Sequence, residues 1–194
     1  MNRKNLSLIV ADSANDVAAD EPIALVPYDP EWPRRFDSER AVLERVLAPW
    51  LEGGIHHIGS TAIPGIAAKP VIDMMAGVRD LEEARAAFGA LAEQSYVFAP
   101  HREEEAHHFA KPSLQPSEAT HGLHLTQPGS DLWRERLAFR DALRADAGLA
   151  AEYEALKRRL AEDDRKGLTS YTDAKRPFVA RVLASAGIRL PPYR

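Results

Sequence analysis

From Glu31 to Trp50, the apolar residues Phe36, Leu43, Val46, Leu47 and Trp50 share one face of a 3.6-residue period, which predicts a helix. Pro33 fits only its first turn, and Pro49 limits its end. Ile23 to Val26 ahead of it is a short strand candidate, closed by Pro27 and the Asp29–Pro30 turn signal. Gly53–Gly54 breaks to a strand over Ile55–Ile58, and Val71–Val78 forms a second after a loop rich in Pro and Gly. Asp80, with Glu83 three residues on, caps a helix whose stripe is Leu81, Ala84, Phe88 and Leu91. Tyr96–Ala99, His107–Lys111 and Gly122–Gln127 are further strand candidates, with a loop over Pro112–Thr120. The remainder is helical: about Ser130–Asp146, Leu149–Asp163 and Thr172–Ala186. In the last helix Pro177 demands either a start near Asp173 or a kink. Strands in the first two thirds and helices in the last third predict an α+β fold, not a regular βαβ alternation.

The 194 residues include 45% apolar side chains, enough for one core, so a single domain over 22–190 is expected. Residues 1–21 read as a leader of uncertain order. Leu6–Ala11 is broken by Ser7 and followed by Asp12, Asp16 and Asp20, too short and too acidic for a signal peptide. No apolar run approaches the roughly 18–20 residues of a membrane span. With no cysteine, a disulfide framework, a thiolate nucleophile and a cysteine-ligated zinc are all excluded. That composition agrees with a cytoplasmic setting. A net charge of −4 argues against general nucleic-acid binding.

Candidate chemistry concentrates in HIGSTAIPGIAAKPVIDMM, from His57 to Met75. Glycine lets backbone approach a ligand, and the exposed N–H groups of a Gly59–Ser60 turn together with a hydroxyl can hold phosphate. On the following strand Asp73 stands among Val71, Ile72, Met74 and Met75, where a carboxylate is costly unless paired, hydrogen-bonded or metal-bound. Spacing alone allows two readings with equal weight: a phosphate-binding turn beside a working acid, or a plain turn with Asp73 capping a neighbour. Seven histidines raise a metal hypothesis, but there is no His-Glu-x-x-His, and adjacent strand residues point to opposite faces. Arg136, Arg140 and Arg144 recur every four residues, as on a solvated helix face with Glu135 and Asp141 as local partners.

The His57–Met75 segment closely resembles the GrpB family, with its His-Ile-Gly-Ser-Thr, Pro-Gly and Ala-Lys-Pro signatures leading to Asp73. The opening YDPEWP from Tyr28 to Pro33 fits the same pattern, as do HGLHL from His121, FRDAL from Phe139, YEALK from Tyr153 and YTDAK from Tyr171. Together these pieces span roughly Pro22 to Ala186. The resemblance implies a nucleotidyltransferase-like fold: a small mixed sheet with packed helices and a helical C-terminal third. In that superfamily a Gly-Ser turn holds nucleotide phosphate and an Asp-x-Asp pair on the next strand binds magnesium. Carried over, Asp73 is the acid for magnesium or manganese. His57, Gly59, Ser60, Thr61 and Lys69 are then the phosphate-side residues, and His121 or His124 positions or activates an acceptor. Lys111, Arg140, Lys157, Tyr171 and Lys175 complete an anion-binding wall.

Two departures stand out. The second carboxylate position is Met75, a poor magnesium ligand, and the superfamily's third acid corresponds to His124. Two readings follow from the resemblance. One is an anion- or nucleotide-binding pocket capable of metal-dependent nucleotidyl transfer. The other is a non-catalytic accessory module linked to CoA biosynthesis, since a GrpB-like domain is fused to some dephospho-CoA kinases. No P-loop is present, so the chain is not that kinase.

Overall fold

The computed structural model describes residues 24–100, 103–112, 119–162 and 173–189. Helix α1 (Trp32–Leu47) leads into strand β1 (Leu51–Ile58), a 3₁₀ turn (Ser60–Ala62) and β2 (Ile72–Val78). Next come short helices α2 (Leu81–Ala84) and α3 (Phe88–Glu93), then β3 (Val97–Phe98), β4 (His107–Pro112) and β5 (Ala119–Thr126). Helices α4 (Asp131–Ala145), α5 (Ala147–Glu162) and α6 (Arg176–Ser185) finish the fold. The strands form one mixed sheet in the order β1-β2-β5-β4-β3, with β2 and β5 parallel and the other pairs antiparallel. The α+β class is as expected.

Alternation divides the sheet. Ile72, Met74, Ala76 and Val78 of β2, with Leu123 and Leu125 of β5, point to one face and pack under α1–α3 with Trp32, Phe36, Leu43 and Leu91. A second cluster joins Ile63 and Ile66, after the 3₁₀ turn, to Leu143, Tyr153, Phe178 and Val182 of α4–α6. This cluster anchors the C-terminal helices beside the other face.

Several boundaries differ from expectation for local reasons. Gly53–Gly54 does not break the chain before β1 but lies within it as a bulge: Leu51 pairs with Val78 and Ile55 with Ala76, so four steps along β1 span two along β2. Of the expected first strand, Val26 makes only an isolated bridge with Ala68, and Ile23 lies outside the described residues. Pro112 and Ala119 pair across β4 and β5, so the ladder claims both ends of the expected loop. Asp80 caps α2 by accepting from the Glu83 N–H at 2.9 Å. Asp146 ends α4 and accepts the Leu149 N–H at 3.0 Å, starting α5. Pro177 falls in the first turn of α6, where its missing N–H costs nothing, so no kink is needed. The leader, residues 1–21, lies outside the described residues. No helix among the described residues is long and apolar enough to cross a membrane.

Candidate functional site

Asp73 sits in register with Ile58 of β1 and Gly122 of β5, just below the turn that leaves β1. Gly59 starts that turn at φ 70°, a backbone region that side chains disfavour. A Cβ on Gly59 would lie 2.5 Å from Asp73 Oδ2, and one on Gly122 would lie 2.6 Å from Oδ1. The carboxyl group is therefore cradled between two bare backbones. The sequence pattern pointed to Gly59 but not to Gly122, because that need for space arises only once β5 lies beside β2.

The turn is held from behind. Thr61 Oγ1 donates to the Val71 carbonyl at 2.9 Å and contacts His57 Nε2 at 3.0 Å. Since the hydroxyl proton is committed to Val71, His57 must donate from Nε2. Burial, helped by Arg144 and Arg140, lowers the His57 pKa to about 4, so its ring is neutral at physiological pH. The ring also stacks on Phe36, with centroids 4.8 Å apart. His57 and Thr61 are buried, so they position the turn rather than line its open side.

Cations gather on that open side. Burial raises the Asp73 pKa to about 6, against the opposing pull of Arg136, Lys175 and Lys69. Burial likewise lowers Lys175 to about 8, aided by Arg136 and Lys69 and opposed by Asp73. Lys157 is 1% exposed; burial first and then Lys175 lower its pKa to about 8. Its Nζ donates to the Ala67 carbonyl and sits 5.0 Å above the Tyr153 ring. Ser60 interacts with the Tyr153 hydroxyl, working against burial, which raises the Tyr153 pKa. Burial raises the Glu135 pKa, opposed chiefly by the neighbouring Arg136. Lys69, Arg136 and Lys175 thus act on the one carboxyl of Asp73, with buried Lys157 beside Lys175 and Arg136 itself exposed.

Other expected site residues lie elsewhere. His121 and Lys111 alternate to the face opposite Asp73, which corrects their assignment to one pocket with it. Lys111 Nζ donates to Glu39 Oε1 at 2.8 Å, an oxygen that also accepts the Tyr96 hydroxyl at 3.0 Å. His121 Nδ1 contacts Thr120 Oγ1 at 2.9 Å, and burial lowers its pKa. Arg140 turns away from the cleft, donating to the His57 carbonyl at 3.1 Å and to Asp141 at 2.7 Å. Arg136, one turn earlier in the stripe read as a solvated face, acts on Asp73 instead. Tyr171 lies outside the described residues. His124 does share the Asp73 face, in register with Met75 and His108, with its ring 4.5 Å from that of His108.

Met75 also shares that face, as two-residue spacing requires, but is fully buried. A two-magnesium site needs bridging oxygens where this chain has a thioether. Among the described residues no group of three or more His, Asp or Glu side chains converges to hold a metal. The donor set does not fit a magnesium pair.

Residues 22–185 match the family model described as GrpB protein. The chain is 36% identical over 164 residues to the glutamate-rich protein GrpB of Alkalihalophilus pseudofirmus, covering 83% of this chain and 94% of that one. It is 39% identical over 168 residues to a UPF0157 protein of Deinococcus radiodurans, covering 86% and 84% respectively. Among solved structures, conserved protein GrpB from Enterococcus faecalis superposes with a TM-score of 0.75 at 26% identity, over 84% of this chain and 96% of that one.

Proposed function

The chain belongs to the GrpB family, and from that premise we propose that it binds a phosphate-bearing anion, nucleotides first among them, at the Gly59–Ser60 turn. The observation that supports this reading is the concentration of Lys69, Arg136 and Lys175 on the single carboxyl of Asp73. Burial penalises the charges of Lys157 and Lys175, and a bound polyanion would relieve that penalty. In this reading the Ser60 hydroxyl and the turn amides meet one phosphate, while the lysines and Arg136 meet its charge. Asp73 orients the cations between them.

The donor set argues against nucleotidyl transfer by two magnesium ions, so the binding or accessory reading is preferred to the catalytic one. Thermal unfolding of the natural chain with nucleoside triphosphates and CoA precursors, each with and without magnesium or manganese, tests the choice. A ligand at 100 times its Kd adds about 2.7 kcal/mol of stability. Metal-independent stabilisation by one phosphate ligand, weakened in both Lys69→Ala and Lys175→Ala, is the expected result. Unchanged affinity in both variants would remove the proposal. A shift that appears only with metal would restore the catalytic reading.

A further inference from the structure

A second cleft, of about 270 Å³, opens on the far side of the same turn, between α1 and α4 at the outer edge of β1. Arg40, Arg140, Arg144, Tyr28, His57 and one acid, Asp37, line it, whereas Asp73 and Lys175 do not. β1 is the terminal strand of the sheet, so its outer backbone edge faces this cleft without a strand partner. The His57 carbonyl points that way and accepts from Arg140.

The three guanidinium groups are not equally matched. Arg40 pairs with Asp37 at 3.1 Å and Glu44 at 3.7 Å, and Arg140 pairs with Asp141 at 2.7 Å. Those carboxylates are all more than half exposed, where water screens their pairing. Arg144 makes no ion pair with a described residue. Its hydrogen bond runs from Nε to the Ala62 carbonyl at 2.8 Å, a neutral acceptor. That bond fixes the plane of the guanidinium and leaves the two terminal nitrogens as an oriented fork, the geometry that receives a carboxylate or phosphate with two parallel bonds.

We propose that this cleft is a second oxyanion site, with Arg144 as its fork and Arg140 and Arg40 as flanking charges, taking a small phosphate or carboxylate ligand. One further observation supports it. Burial and the neighbouring Arg140 disfavour the charge on Arg144, with Asp141 and Tyr28 opposing them, and a bound anion would offset the net penalty. The site does not depend on the proposed nucleotide cleft: the 59–62 turn stands between them, with Thr61 and Ala62 on one side and Gly59 and Asp73 on the other.

Calorimetric titration of the full chain with inorganic phosphate, and separately with succinate, distinguishes the two ligand sources. Each is repeated in Arg144→Gln, Arg144→Lys and Lys175→Ala, with thermal unfolding as the folding control. At least one anion is expected to bind with affinity reduced tenfold or more by Arg144→Gln, a larger loss than Lys175→Ala causes. Arg144→Lys keeps the charge but loses the fork, and an intermediate loss is expected. Should Arg144→Gln fail to fold, the Arg144→Lys titration decides the matter. Neither anion binding the natural chain, or affinity that responds to Lys175→Ala and not to either Arg144 variant, would overturn the inference. The second outcome would leave the nucleotide cleft intact, and loss through Arg144 alone would leave this site standing without it.

Discussion

The two faces of the sheet use the same strands for opposite purposes. On the face under α1–α3, Ile72, Met74, Val78, Leu123 and Leu125 are each 2% exposed or less. One residue along each strand, Asp73, Gly122 and His124 turn to the other face, where Met75 is fully buried and charge collects around Asp73. Histidine occurs on both. On the apolar face His57 is tied to Thr61, His107 to the Leu81 carbonyl at 2.8 Å, and His121 to Thr120. These rings satisfy a core. Chemical type does not decide a residue's role here; the face it occupies and the neighbours it meets do.

Four substitutions test that division. The largest effect is expected for Met75→Asp, which puts a second carboxylate at a fully buried position on the Asp73 face. Without metal it should cost about 3–5 kcal/mol, as an uncompensated buried charge does. Magnesium or manganese should recover part of that loss in urea unfolding, while the natural chain shows no such gain. Absence of recovery would detach Met75 from any metal position.

Leu123→Ala, on the apolar face, should cost about 2–5 kcal/mol through lost burial and a residual cavity. Its urea midpoint should fall while anion affinity in the folded chain stays within twofold. A loss of binding comparable to that of Lys175→Ala would show that the faces are not independent.

Gly122→Ala should cost less, about 1–3 kcal/mol of overpacking. Its Cβ would lie 2.6 Å from Asp73 Oδ1, so the carboxyl must move. Anion affinity should change together with stability, unlike in Leu123→Ala. Unaltered binding would mean that the glycine cradle does not set the site.

A last effect is a pH dependence. The Asp73 pKa is raised from 3.8 in the unfolded chain to about 6 in the folded one. Between those values the folded chain keeps a proton that the unfolded chain releases, so this group's contribution to stability falls as pH rises through the window. Asp73→Asn should remove that slope and stabilise the chain at neutral pH. A slope between pH 4 and 6 that survives the substitution would assign it to another group.

Local pattern sufficed for much of this. The apolar stripe predicted α1, the Asp80 signal predicted the start of α2, and alternation put Asp73 and Met75 on one face. The resemblance carried by His57–Met75 led to the family that the chain matches. The positions of Lys111 and Arg140 were not legible in the same way. Each is a basic residue at a plausible spacing, but Lys111 finds Glu39 from α1 and Arg140 finds the His57 carbonyl at the end of β1. Arg136 gave no local sign of its role, because its helical spacing is that of an ordinary exposed stripe.

By itself, the sequence determined most of which segments are helix or strand, and which strand residues alternate together, because periodicity and capping act within a few residues. Only the tertiary structure decided that β5 inserts between β2 and β4, placing Gly122 against Asp73, and that α4 lies where Arg136 and Arg144 serve opposite sides of one turn. Those are contacts between distant segments. They depend on how whole elements pack, and no local preference of either partner encodes them.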